Sequence, residues 1–100
     1  MNKDLIKRDK KIELFCRKYH ILSLALFGSI LGSSFGAASD VDFLVQFEKK
    51  YIPSLFDLVD MESELSEIIG RKADLKTPHD LSPYFRDEVL ALAETIYAKK

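Results

Sequence analysis

The sequence predicts an α/β (α+β) domain of two layers, a short mixed sheet with helices packed on one face. Three observations predict it. Leu22 to Phe27 is an apolar run that stops at Gly28-Ser29, the pattern of a buried strand. Asp40 to Phe47 alternates at period two, with Val41, Phe43, Val45 and Phe47 on one side. Ser54 to Ile69 instead spaces Leu55, Leu58, Met61, Leu65 and Ile68 by threes and fours, the period of a helix. The 100 residues make a single domain, 1–100, able to bury roughly two thirds of its extended surface. A hydrophobic content of 47% is enough for a core.

Taken in order, residues 3 to 19 read as an amphipathic helix with Leu5, Ile12, Phe15, Cys16 and Tyr19 near one stripe. Its lysines are interleaved with Asp4, Asp9 and Glu13, as on a solvated face. Cys16 reads as a core thiol and His20 as a residue of the terminal turn. After the first strand, Ser29 to Phe35 reads as a short helix loosened by Gly32 and Gly36. The second strand ends near Phe47, and Glu48-Lys49-Lys50 with Pro53 mark the turn.

Ser54 is the expected N-cap of the next helix and Gly70 its C-cap. The acidic run of Asp57, Asp60, Glu62, Glu64 and Glu67 reads as its wet face. A third strand, Lys72 to Thr77, carries Asp74 between Ala73 and Leu75, so Asp74 can face away from the core. Residues 78 to 83 form a loop in which His79 and Asp80 serve the start of a helix. Ser82 caps a last helix, with Pro83 in its first turn. Phe85, Val89, Leu92 and Ile96 make its buried stripe, widened by Leu90, Ala93 and Tyr97.

Composition excludes several classes. A net charge of −1 gives no general pull toward nucleic acid or an anionic membrane, and no run approaches a membrane-spanning length. The first residues, MNKDLIKRDKK, lack the apolar segment of a signal peptide. One cysteine rules out an intrachain disulfide framework, so a reducing cytoplasm is expected.

The chemistry sits between Leu22 and Val45. Asp40 and Asp42 fall on one face of their strand, roughly 6.5 Å apart at Cα. Two carboxylates in an apolar strand need a partner, because an unpaired buried charge costs several kcal/mol, on the order of a small domain's stability. A divalent cation satisfies both at once. A strand that breaks at Gly28 and restarts as a helix leaves free backbone N–H groups and room for a phosphate to approach. The Ser29 hydroxyl adds a donor. Together, and in this order, these features predict metal-bridged triphosphate chemistry.

The segment resembles the minimal nucleotidyltransferases of the DNA polymerase beta superfamily, whose signature is G-S, ten residues, then D-x-D. Gly28, Ser29, Asp40 and Asp42 match it without a gap, and the likeness extends to Gly70-Arg71-Lys72-Ala73-Asp74-Leu75. The resemblance implies a two-layer nucleotidyltransferase fold and makes Asp74 the third acidic residue of a triad. In its stand-alone form this family is the antitoxin partner of HEPN-type toxins. The resemblance therefore implies a HEPN toxin as partner, a tyrosine hydroxyl on it as acceptor, and AMP transfer from ATP.

On that reading Asp40, Asp42 and Asp74 hold two Mg²⁺ ions, roughly 4 Å apart as in two-metal sites generally. Gly28 and Ser29 cradle the outer phosphates, and Asp74 receives the acceptor's proton. The chain departs from the family at one place. Relatives carry arginines soon after the serine, as R-x-R-G, where this chain has Ile30-Leu31-Gly32-Ser33. The protein alone is therefore expected to bind ATP weakly, with Arg71, Lys72 or a partner's arginine making up the charge. Two further readings stand beside the transferase. One is an interaction protein that neutralises its partner by binding. The other is a metal-dependent phosphodiesterase, which has no need of a triphosphate cradle.

Overall fold

The computed structural model describes residues 6, 9–31 and 40–99. Helix α1 (Lys10–Lys18) leads into strand β1 (Ile21–Phe27), which ends in a 3-10 turn (Gly28–Leu31). Then come β2 (Val41–Phe47), α2 (Leu55–Ile69), β3 (Ala73–Lys76), a second 3-10 turn (Pro78–Asp80), α3 (Arg86–Leu92) and β4 (Glu94–Ala98).

Helix α1 begins where Asp9 accepts the Lys11 N–H at 2.9 Å. Its predicted first turns, with Leu5, lie outside the described residues. Ile12, Phe15 and Cys16 are buried as expected. His20 carries the chain from α1 into β1 at φ +57. Its Nδ1 lies 3.4 Å from Glu48, which also pairs with Lys99, so the start of β1 is tied to the ends of β2 and β4.

The sheet runs β3-β2-β1-β4, antiparallel from β2 through β4 and parallel between β2 and β3. It is therefore mixed, as predicted. The parallel pair needs a crossover, which α2 supplies. A capping box between Ser54 and Asp57 starts α2, and Gly70 at φ +74 ends it. Met61 and Leu65 from α2 meet Phe15 and Cys16 from α1 over Leu24, Leu26, Val41, Phe43 and Val45. Each large side chain fully buried there contributes roughly 1.5–3 kcal/mol.

The outer edge of β3 is not left open. Ser66 Oγ accepts the Ala73 N–H at 2.8 Å, and Glu62 Oε2 accepts the Leu75 N–H at 2.8 Å. Glu62 thus leaves the wet face to which the acidic run assigns it. Glu64 also turns inward, to Lys18 on α1 at 3.0 Å. Leu55 is 76% exposed and is no part of the α2 stripe, because it precedes the point where the helix meets the sheet.

The C-terminal segment differs most from expectation. The helix is short, Arg86–Leu92, and buries none of its residues. Phe85 and Leu92, assigned to its buried stripe, are exposed. Ile96 and Tyr97 belong instead to β4, which pairs with β1 through Leu24↔Tyr97 and Ser23↔Ala98. The reason is local and tertiary together. Thr95-Ile96-Tyr97 is a β-branched and aromatic run, and β1 would otherwise present an unpaired edge.

Candidate active site

Three elements deliver the site. Phe27, the last residue of β1, pairs in register with Asp42 of β2. On the other side of β2, Asp42 pairs in register with Asp74 of β3. In-register neighbours on adjacent strands lie roughly 4.8 Å apart, with side chains on the same face. Ala73 and Leu75 point into the core, so Asp74 faces the other way, alongside Asp42. Asp40 immediately precedes β2 and shares that face. The structure thus brings Asp40, Asp42 and Asp74 together at one end of the sheet.

Gly28 completes the arrangement in a way the sequence does not disclose. It adopts φ +77, a conformation that side-chain-bearing residues rarely take. A Cβ built on it would run into the Asp42 carboxylate. The glycine is required by the chain's left-handed exit from β1 and by Asp42 at once, before any phosphate is considered. Ser29 lies in the 3-10 turn Gly28–Leu31. Its side chain, and the predicted helix beyond Leu31, fall outside the described residues.

The carboxylates repel one another. Asp42 titrates above the ordinary aspartate range, first because of burial, then because of the charges of Asp74 and Asp40; Lys76 pulls the other way. Lys76 Nζ lies 3.7 Å from Asp74, and Lys72 Nζ lies 3.9 Å from Asp40. Lys76 is absent from the sequence reading. Its signal was available, since it follows Asp74 by two residues on one strand and so shares its face. Lys72, offered as a replacement cation, does sit beside a site carboxylate.

Ile30, which stands where relatives carry an arginine, is only 9% exposed and packs in the core cluster, so its side chain offers the site no charge. Cys16 is fully buried, and burial, followed by the Glu13 charge, pushes its thiol up to about 12, so it is no nucleophile. Asp80 accepts the backbone N–H and hydroxyl of Thr77, at 2.9 and 3.0 Å, and serves the turn rather than a dyad with His79.

The donors at this end are carboxylate oxygens, the hard ligands that Mg²⁺ prefers. Among the described residues no group of three or more acidic, histidine or cysteine side chains is gathered closely enough to hold an ion unaided. In phosphate-handling sites Mg²⁺ takes one or two carboxylates from the protein, with substrate phosphates and water completing its shell. Beside Gly28 opens a cleft of about 750 Å³, lined by Phe27, Leu31, Val89 and Leu92 and by Glu88 and Glu94. Among the described residues no helix is long and apolar enough to cross a membrane.

Residues 10–100 match the family described as polymerase beta, nucleotidyltransferase. A Methanocaldococcus jannaschii protein provisionally named a protein adenylyltransferase is 34% identical over 90 residues, 90% of this chain and 92% of its own. The Thermococcus cleftensis protein adenylyltransferase MntA is 31% identical over 80 residues, 80% of this chain and 77% of its own. A solved structure provisionally described as a minimal nucleotidyltransferase superposes with TM-score 0.72 at 26% identity, over 95% of this chain and 93% of that one. A toxin–antitoxin complex with AMP-PNP gives 0.73 at 17% identity, over 93% of this chain and 75% of that one. A tri-AMPylated Shewanella oneidensis HEPN toxin in complex with MNT antitoxin gives 0.69 at 16%, over 98% and 74%. At such identities the last two bear on fold alone. With the family matched over residues 10–100 and the Asp42–Asp74 pair beside Gly28, the chain belongs to the polymerase beta nucleotidyltransferases and is a minimal nucleotidyltransferase.

Proposed function

We propose that this chain, acting as one domain over 1–100, transfers AMP from ATP to a tyrosine hydroxyl of a partner HEPN toxin and so serves as its antitoxin. The observation that carries the proposal is the in-register pairing of Asp42 with Asp74, next to a left-handed glycine that ends β1. The names of the adenylyltransferase relatives and of the HEPN complexes support AMP transfer, a HEPN toxin as the protein modified, and the antitoxin role. The AMP-PNP complex supports ATP as donor.

Asp40 and Asp42 would hold Mg²⁺, with Asp74 sharing a second ion. Bound Mg²⁺ would neutralise the phosphates and lower the pKa of the acceptor hydroxyl. The chain's own residues do the rest. Gly28, lacking a side chain, lets the outer phosphates approach the backbone at the end of β1, where Ser29 would add its hydroxyl. The tyrosine oxygen attacks the α-phosphorus and gives up its proton to Asp74. The new O–P bond forms as the bond to the β-phosphate oxygen breaks, and pyrophosphate leaves. A partner would supply a wall of the open cleft beside Gly28, where Leu92 is 67% exposed.

The test is incubation with ATP labelled in the α-phosphate, Mg²⁺ and the HEPN partner. Label on a partner tyrosine, lost with Asp42→Asn and with Asp74→Asn, is the expected result. Silencing of the partner with no label would favour the second reading, an interaction protein that neutralises by binding. The burial of Ile30, with no guanidinium at that position, is the observation on its side.

A further inference from the structure

We infer that Glu62 and Ser66 of α2 are positioning residues for Asp74, an inference that rests on the role just proposed for that aspartate. Strand β3 is the edge of the sheet and runs only from Ala73 to Lys76. An edge strand this short is held on one side alone, here by β2 through Val41↔Ala73, Asp42↔Asp74 and their neighbours. Its outward N–H groups would ordinarily face water and leave the strand free to shift.

Here they do not. The N–H groups on either side of Asp74 are both taken by α2. Ala73 donates to Ser66 Oγ at 2.8 Å, and Leu75 donates to Glu62 Oε2 at 2.8 Å. The two side chains are linked in turn, because the Ser66 hydroxyl donates to the Glu62 carbonyl at 2.6 Å. They stand one helical turn apart, beside Met61 and Leu65, which are fully buried in the core. The helix that covers the sheet therefore also clamps its edge, with one acceptor before Asp74 and one after it.

The clamp answers a physical need. Asp74 stands in register with Asp42 on the neighbouring strand, so two like charges sit directly opposite each other and push β2 and β3 apart. Lys76, at 3.7 Å from Asp74, offsets part of that push only weakly, as an exposed pair. A strand of four residues under such a load needs a second anchor if Asp74 is to stay placed to within a fraction of an ångström. A charged acceptor makes the stronger of the two tethers, at Leu75.

Two measurements on Glu62→Ala, Glu62→Gln and Ser66→Ala test this. Hydrogen exchange at the Leu75 amide should accelerate in Glu62→Ala, and at the Ala73 amide in Ser66→Ala, while Phe43 and Val45 stay protected. In AMP transfer to the HEPN partner, kcat should fall about tenfold with KM for ATP little changed, the mark of a displaced reacting group. Glu62→Gln keeps an acceptor oxygen and should rescue both readouts. Accelerated exchange with an unchanged kcat would show that the clamp holds the edge without positioning Asp74, and would overturn the inference. So would a Glu62→Gln variant as impaired as Glu62→Ala. If Asp74→Asn transferred AMP at the parental rate, the role of Asp74 would fall and the positioning role with it, whereas the exchange result would still stand for the tether.

Discussion

Gly28→Ala is the substitution whose outcome the structure specifies most closely. Gly28 sits at φ +77, and a non-glycine residue held in the left-handed region costs roughly 1–2 kcal/mol. The new Cβ would also run into Oδ2 of Asp42. That oxygen ends a rotatable side chain, so the carboxylate turns aside rather than the backbone moving. An off-rotamer displacement of this kind costs about 0.5–1.5 kcal/mol. Against these, alanine restricts the unfolded chain and returns about 0.4–1 kcal/mol. The net loss is about 0.5–3 kcal/mol. A domain of this size loses roughly 4–8 °C in Tm per kcal/mol, so the drop should be about 2–25 °C.

The two causes separate in a double-mutant cycle with Asp42→Ala, which removes the colliding oxygen and keeps the left-handed backbone. In that background Gly28→Ala should cost only the conformational part, leaving a coupling of about 0.5–1.5 kcal/mol between the positions. Urea unfolding of the four proteins measures it, and AMP transfer by the single Gly28→Ala variant should be lost well below its melting point. Strict additivity, or a Gly28→Ala enzyme with full activity, would refute the claim that this glycine makes room for Asp42.

Three other outcomes follow from the same geometry. Asp42→Asn should abolish transfer yet make the protein more stable at pH 7. Asp42 has a raised folded pKa, so the native state binds its proton more tightly, and its contribution turns unfavourable as pH rises from the ordinary aspartate value through the raised one. Urea melts should show the Asn variant ahead at neutral pH and level with the parent below the ordinary aspartate pKa, and a more stable parent at pH 7 would contradict this. Ile30→Arg should destabilise by several kcal/mol, because it places a charge in a core position, and a thermal melt checks it; an unchanged Tm with tighter ATP binding would show instead that a side chain at position 30 can turn out to the phosphates. Cys16 should resist alkylation in the native protein and react only on unfolding, measured by mass shift with and without denaturant.

The parts of the fold legible in the sequence are those where one local signal decides. Ser54 and Gly70 bound α2 because capping chemistry is local. Val41, Phe43 and Val45 face the core because a strand alternates. Asp40, Asp42 and Asp74 could be named for the same reason, with the family likeness supplying the third. The terminal segment was illegible because Phe85, Val89, Leu92 and Ile96 satisfy a helical period by coincidence. What draws Thr95 to Tyr97 into a strand is the open edge of β1, a partner some seventy residues away in the chain. Glu62 was hidden for a like reason. In a run of acidic residues nothing marks the one whose carboxylate will meet the Leu75 N–H, because that depends on where α2 lands against β3.

The choice between a catalyst and a docking scaffold can be pressed from stability alone. Asp42 and Asp74 stand in register on neighbouring strands, and their repulsion works against the fold at neutral pH. A protein that only bound its partner would gain from an asparagine at either position, since that substitution keeps shape and removes the repulsion. At the same sheet end Gly28, in a left-handed conformation open to glycine, leaves space for the Asp42 carboxylate. The short edge strand that carries Asp74 is held from outside by Glu62 and Ser66. The fold thus makes room for and supports a pair of carboxylates that costs it stability, and a binding face gains nothing from such a pair. The buried Ile30 does not reverse the balance, because an isoleucine in the core neither adds a charge to the site nor takes one away. Lys72 and Lys76 stand beside Asp40 and Asp74, one just before β3 and the other at its end. Two cations at the carboxylate end can meet phosphate charge without an arginine in the turn after Ser29, and on that ground the transferase reading stands ahead of the scaffold.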